Sequence, residues 1–305
     1  MRGWGVGIAA RVEWSPVEAP LVDDTVRDSR LDAVVGLVDD SSPPVALAAV
    51  AQLERYARAM PERVWAAIER APPRQRVLAR GVVERLRIVD FTTELARIAA
   101  GPGDLADLER GALGLARWRY PELDSRSVTD ELDRIAALAA PGLPSDRAPR
   151  ATWSALREVL FGELGFAGNV HDYYAPDNSY LNRVLETRRG IPISLSTVVL
   201  LVARRLGVPM AGIGMPFHFL VEISTDRGIL LDPFHAGRVL TRDDCEELCR
   251  GMGHPFRDAY LDPVPAGRIL ARSISNLVGI YERADQPARA RRLVELAAVL
   301  ESPTD

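Results

Sequence analysis

The chain has 305 residues, of which 47% are hydrophobic and 26% are charged, as is usual for a globular protein with more than one core. Its net charge of −4 excludes a general attraction to nucleic acid or to an anionic membrane, and no uncharged segment reaches the ~18 residues that a membrane span needs. Two cysteines, Cys245 and Cys249, are too few for a disulfide framework, so we expect a reducing, cytoplasmic environment.

The N-terminal half is predicted to be helical. Residues 1–43 have a mixed pattern that ends in DDSSPP. We expect them to form a leader that need not be folded, and we do not expect a signal peptide. Over 44–140 the apolar residues recur at intervals of three and four, which predicts a helical N-terminal domain. The stretch PGLPSDRAPR at 141–150 has the composition of a linker.

A second domain is predicted over 151–262, and it opens with three helices. The first, ATWSALREVLFGELGF, ends at Gly165. The second, NSYLNRVLETRRG, has Asn178 as its expected N-cap. The third, PISLSTVVLLVARRLG, begins at Pro192 and stops at Gly207, as suits proline in a first turn and glycine after a last one.

The pattern then changes to a period of two, which predicts three short strands in MAGIGM, FHFLVEI and GILLDPF. LTRDDCEELCRGMG predicts a further helix, opened by the capping pair Thr241 and Asp244. Residues 263–301 predict two helices joined by a turn, about the length of one tetratricopeptide repeat. A lone repeat cannot bury its own apolar face, so we expect this pair to pack on the preceding domain.

Four stretches carry a resemblance to a known family. They are LFGELGFAGN (160–169), PDNSYLNRVLETRRGIPISLS (176–196), MPFHFLVE (215–222) and LDPFHAGRVL (231–240). Together they resemble the transglutaminase-like superfamily, most closely its SirB-type branch with a helical N-terminal region and a tetratricopeptide-like tail. The resemblance implies an α+β fold that is mostly helical, with a papain-like core carrying a short antiparallel sheet and flanked by helical regions.

In that family a cysteine at a helix N-terminus is the nucleophile, a histidine stands on the next strand and an aspartate on the one after. The helix end stabilises the thiolate, the imidazole takes the proton and the carboxylate orients the imidazole. His218 and Asp232 match the second and third members, while Pro192 occupies the nucleophile position and has no nucleophilic atom. We therefore expect a non-catalytic protein without a cofactor that binds a protein or peptide.

Two other interpretations remain open. In the first, a displaced serine acts with His218 in a hydrolase or acyltransferase. Ser196 returns to nearly the face of Pro192 one turn further along the helix, whereas Ser194 points elsewhere. Both serines also suit ordinary capping and packing roles.

The second interpretation is a metal-binding regulatory protein that uses Cys245, Cys249 and His254. These supply three donors, whereas structural zinc takes four, and the cysteines also fit the apolar face of a helix.

Other side chains could line a cleft beside His218. Tyr173 and Tyr174 lie in the predicted loop before Asn178, and Asn182 lies in the helix that follows. His235 comes three residues after Asp232 and could either line the same cleft or lie on the bare surface.

Overall fold

The computed structural model of the chain describes residues 24–223 and 228–301, with side chains from Asp28 onward, and it confirms the α+β class. In these residues the helices are α1 Asp24–Gly36, α2 Pro43–Ala59, α3 Pro61–Arg70, α4 Pro73–Ala100, α5 Leu105–Arg119, α6 Ser125–Ala139, α7 Pro149–Arg157, α8 Leu181–Thr187, α9 Pro192–Arg205, α10 Arg242–Gly251, α11 Ala266–Arg283 and α12 Pro287–Glu301. The strands are β1 Ala167–Gly168, β2 Arg189–Gly190, β3 Met210–Ile213, β4 Leu220–Ile223, β5 Ile229–Asp232, β6 Arg238–Leu240 and β7 Pro263–Val264.

The N-terminal helices form a cluster of their own. Leu31 and Val35 of α1 are buried against α2, α3 and the first half of α4. Residues 24–36, which are part of the expected leader, therefore form the helix α1. Its buried apolar residues are four positions apart and pack against α2, α3 and α4. Residues 1–23 lie outside the described part of the chain.

The main core surrounds α9. Every residue from Pro192 to Ala203 is buried, because α5, α6, α8 and the sheet cover this helix from several sides. α6 and the end of α4 belong to the same apolar cluster as α9. The second half of the predicted helical domain thus contributes to this core, and the proposed boundary at 140 stays a prediction.

The larger sheet has the strand order β6-β5-β4-β3-β7, and all of its neighbours are antiparallel. β3, β4 and β5 correspond to the three predicted strands, while β6 and β7 are too short to give a period in the sequence. β1 and β2 form a separate two-residue parallel bridge just before α9.

The C-terminal helix pair packs against the N-terminal half of the chain. Ile274 and Leu277 of α11 share an apolar cluster with Phe91 of α4 and Leu115 of α5. α11 also contributes Leu270 to the main core, so the pair covers both regions. No helix in the described part of the chain is long and apolar enough to cross a membrane.

Candidate functional site

The nucleophile position lies at the first turn of α9. Pro192 is the first residue of this helix and is buried, and Ile191 before it is extended, as a residue preceding proline must be. The side chain of Ser194 accepts a hydrogen bond from the backbone N–H of Ile191 at 3.0 Å and donates to the carbonyl of Asn178 at 2.6 Å. The entrance to α9 is therefore closed by its own hydrogen bonds.

Neither serine is positioned as a nucleophile. The Ser194 hydroxyl is engaged at the helix entrance, and the buried Ser196 donates to the carbonyl of Phe219 at 3.4 Å. Among the described side chains, neither hydroxyl forms a hydrogen bond with His218. These contacts suit the capping and packing roles.

His218 lies in the turn before β4, two residues ahead of the observed strand, although the sequence predicted that it lies within that strand. Phe217 is the reason, since its φ of 60° is left-handed and interrupts an extended chain. The carbonyl of His218 accepts a hydrogen bond from the Arg272 guanidinium of α11 at 2.7 Å. Burial lowers the pKa of Arg272, although nearby Tyr173 acts in the opposite direction. The C-terminal helix pair thus helps to position the imidazole.

His218 and Asp232 are in contact. Nε2 of His218 lies 2.9 Å from Oδ2 of Asp232. The contact is within ion-pair distance, although the buried Nε2 does not meet the geometry of a hydrogen bond. Nδ1 is the ring atom left for another partner.

Asp232 also contacts His235, because a 3-10 turn over Pro233–His235 follows β5 directly. Oδ1 of Asp232 accepts the backbone N–H groups of Phe234 and His235, and Oδ2 lies 2.7 Å from Nδ1 of His235. Burial acts to raise the pKa of Asp232, but the contacts with both histidines outweigh it and leave the pKa lowered. We call His218, Asp232 and His235 the His–Asp–His cluster.

The His–Asp–His cluster is the one group of three metal-donor side chains that the described residues bring together. Its ligand atoms lie within 4.8 Å of one another, close enough to share an ion. Cys245 and Cys249 are instead buried in an apolar cluster between α10 and the sheet, where burial raises the pKa of both thiols, that of Cys245 to about 11. His254 packs between the rings of Phe217 and Tyr260.

Aromatic side chains pack around the His–Asp–His cluster. The ring of Phe234 lies 5.9 Å from Tyr173 and 6.3 Å from His218, both edge to face. A side chain at Gly168 would approach the Phe234 ring within 2.5 Å, so only glycine fits there. Tyr174 is exposed and lies under the guanidinium of Arg283. Tyr173 therefore lies beside the cluster through its contact with Phe234, and the ring of Tyr174 lies 5.3 Å from that of Tyr173.

The sequence predicts Asn178 as the N-cap of α8, but Tyr180 is the residue that precedes this helix. The buried Asn178 side chain instead accepts from Asn169 and donates to the carbonyls of Asp172 and Tyr173 at 2.6 and 3.1 Å. It fixes the loop that carries the two tyrosines, a role that the local sequence does not reveal because its partners are not in a helix pattern.

Asn182 lies elsewhere. It lines a cavity of about 300 Å³ together with residues of α6, including Ser127 and Glu131, and none of the cluster residues borders that cavity. Leu181, Val184 and Leu185 of α8 face the core. The helix turn therefore directs Asn182 towards α6. The expected role of Asn182 in the cleft is not supported.

Comparisons with known proteins agree with this arrangement. A family model described as "Transglutaminase-like superfamily" matches residues 126–275. The chain is 38% identical over 195 residues to a "UPF0162 protein" of Xylella fastidiosa, a match that covers 60% of this chain and 68% of that relative. It is 29% identical over 199 residues to a "UPF0162 protein" of Vibrio cholerae, covering 64% and 73%.

A shorter match is "F-box only protein 21" of Homo sapiens, 36% identical over 138 residues that make up 42% of this chain and 22% of that protein. No solved structure matches the chain significantly.

Proposed function

This chain belongs to the transglutaminase-like superfamily, and on that basis we propose that it is a non-catalytic member that binds a protein or peptide. We assign it to the SirB-type branch with a tetratricopeptide-like tail, and to the cytoplasm, where Cys245 and Cys249 stay reduced. The observation that carries the proposal is the buried Pro192 at the start of α9.

Acyl transfer requires an attacking group at the start of α9. A thiol or hydroxyl must attack the carbonyl carbon, and the helix N-terminus and imidazole activate it. A proline ring has no atom for this attack. His218 and Asp232 remain in contact, so the loss is confined to the attacking group. Ser194 and Ser196 use their hydroxyls in structural hydrogen bonds, which gives the displaced-serine alternative no support.

Exposed aromatic groups beside the cluster favour binding. Phe217 is 60% exposed although its left-handed backbone costs energy, an arrangement that is concentrated at functional sites. Tyr174 is 53% exposed, and the side chain of His235 is 55% exposed. Aromatic side chains are enriched in protein interfaces. A peptide lying on this rim would reach the His–Asp–His cluster.

Covalent probes test the absence of catalysis. We expect native protein to stay unlabelled by iodoacetamide and by a serine-reactive fluorophosphonate, because both cysteines are buried and both serines are engaged. Unfolded protein provides the control, since both thiols should then be alkylated. Native labelling of a serine that disappears in His218→Ala would contradict the proposal and restore the hydrolase interpretation.

A photocrosslinker tests binding at the rim. Benzoylphenylalanine placed at Phe217 is expected to yield a discrete adduct with a partner in cell extract. The matched control places it at Val77 of α4, which is 70% exposed and outside the cleft. Adducts of equal yield from both positions, or none from Phe217, would count against a binding cleft.

A further inference from the structure

A second site of a different kind lies where α4 and α5 meet. A cavity of about 370 Å³ opens there, and Arg87, Arg117 and Trp118 are among its lining residues. A side chain at Gly114 would approach the ring of Phe91 within 2.5 Å, so the two helices touch closely at this point. Arg87 precedes Phe91 by about one turn and Arg117 follows Gly114 by about one turn, which holds both guanidinium groups in the same cavity.

Neither arginine has a carboxylate partner. Within the described side chains, Arg87 and Arg117 form no ion pair, and Nε of each is buried without a hydrogen-bond acceptor. A buried polar group of this kind normally has a partner, and a charged one still more so. The cavity therefore contains two positive groups whose counter-charge is not supplied by neighbouring side chains.

The acidic residues that line the same cavity are already engaged. Asp90 binds Arg58 of α2 at 2.9 Å, and Glu94 binds both Arg97 and Arg110, at 3.2 and 2.9 Å. Their charge is thus shared with other guanidinium groups.

Glu84 and Glu122 attract Arg87, but both lie beyond ion-pair distance. Burial lowers the pKa of Arg87 to about 10, and the positive charge of Arg117 acts in the same direction. The local field is therefore positive, on a chain whose net charge is −4.

The basic surface continues past the cavity. Arg87 and Trp118 also line a neighbouring groove. Its other lining residues include Arg119 of α5 and Arg289 and Arg292 of α12. The C-terminal helix pair thus adds positive charge along one side. Such a concentration of one sign attracts anions from solution and raises their local concentration.

We propose that Arg87 and Arg117 bind a dianionic oxyanion, the phosphate group of a small phosphate monoester whose apolar part contacts Trp118. Two uncompensated positive charges are balanced by one dianion. The planar guanidinium fork forms paired hydrogen bonds with phosphate oxygens. The cavity volume is in the range typical of small-molecule sites. This inference does not depend on the proposed function, because none of these residues belongs to the cleft around His218.

Phosphate and phenyl phosphate, with sodium chloride at matched ionic strength, are the probes. We expect both phosphates to raise the thermal unfolding midpoint of the full-length chain, and phenyl phosphate to bind more tightly by calorimetry because its ring can contact Trp118. Arg87→Gln and Arg117→Gln each remove one charged donor and should weaken binding about tenfold or more. The matched control, Arg74→Gln, removes a 79% exposed arginine of α4 from outside the cavity and should bind like the wild type.

Unfolding without phosphate separates this idea from a structural role for the arginines. Arg87→Gln relieves repulsion from Arg117, so its midpoint should equal or exceed that of the wild type. The proposal is overturned if phosphate raises the unfolding midpoint of the wild type no more than sodium chloride does. It is also overturned if phosphate raises the midpoints of Arg87→Gln and Arg117→Gln as much as that of the wild type. A lower midpoint of both cavity variants without phosphate would also overturn it. Equal affinity for the two phosphates would remove the contact assigned to Trp118.

Discussion

The substitution Pro192→Cys tests whether α9 still presents a nucleophile position. Pro192 is the first residue of the helix, where a backbone N–H has no intrahelical partner in any case, so cysteine fits the backbone. A helix N-terminus together with an imidazole lowers a thiol pKa from ~8.5 into the range of roughly 3.5 to 7.5. Cys245 and Cys249 are buried with raised pKa values, so they do not compete.

The expected magnitude follows from a pKa of about 6.5 for the new thiol. At pH 6.5 about half of it is thiolate, against about 1% for an unperturbed cysteine. The ultraviolet absorbance of the thiolate, taken as the difference between Pro192→Cys and the wild type over a pH titration, measures this fraction. It does not require a reagent to reach the buried residue 192.

Two controls isolate the contribution of the imidazole. Pro149→Cys places a thiol at the equivalent first position of α7, so it shares the effect of the helix end but lies outside the His–Asp–His cluster. Adding His218→Ala to Pro192→Cys should raise the thiol pKa to that of the Pro149→Cys control. If the thiol pKa of Pro192→Cys is no lower than that of Pro149→Cys, or if His218→Ala leaves it unchanged, residue 192 is not the nucleophile position.

Three further predictions concern stability and metal content. Glu131→Gln should lower the free energy of unfolding by about 1 kcal/mol at neutral pH, because the hydrogen bond from Arg134 and the contact with Arg188 hold the pKa of Glu131 at about 2. Since that pKa is depressed in the folded state, the difference should persist above pH 4.5 and vanish as the pH falls towards 2. Urea unfolding at stepped pH measures this, and an undiminished difference at pH 2 would refute it. The buried hydroxyls of Tyr180 and Tyr281 lie 2.9 Å apart, so either Phe substitution alone should cost about 1 to 3 kcal/mol and the double substitution less than the sum; strictly additive losses in a denaturant double-mutant cycle would contradict this. Purified protein should carry no stoichiometric zinc, since the cluster supplies three donors and its carboxylate oxygen already contacts both imidazoles; elemental analysis that finds a full equivalent, lost on substituting either histidine of the cluster, would refute it.

The sequence predicted α9 and α10 well because their signals are local. The capping pair Thr241 and Asp244 opens α10 as expected, and Gly207 adopts a positive φ just after α9. These features depend on residues within a few positions of one another, so periodicity and capping chemistry are sufficient to find them. The short strands β6 and β7 were not predicted, since two or three residues cannot establish a period of two.

The sequence predicted only part of the candidate site. The spacing around His218 and Asp232 resembles a family motif, and the sequence alone shows that Pro192 stands at the nucleophile position of that motif. The position of His218 in a turn was not, because it depends on the left-handed backbone of Phe217. The role of Asn178 was also missed, because its partners lie in an irregular loop.

The amino-acid sequence by itself determined that this protein is mostly helical, that it has a transglutaminase-like core, and that residue 192 cannot attack a carbonyl. Only the tertiary structure decided that His235 shares the carboxylate of Asp232, that Arg272 from α11 holds the turn of His218, and that two arginines without ion-pair partners meet between α4 and α5. The physical reason is range: backbone preferences act between neighbours in the chain, whereas these contacts join side chains from separate elements that meet only when the core closes around them.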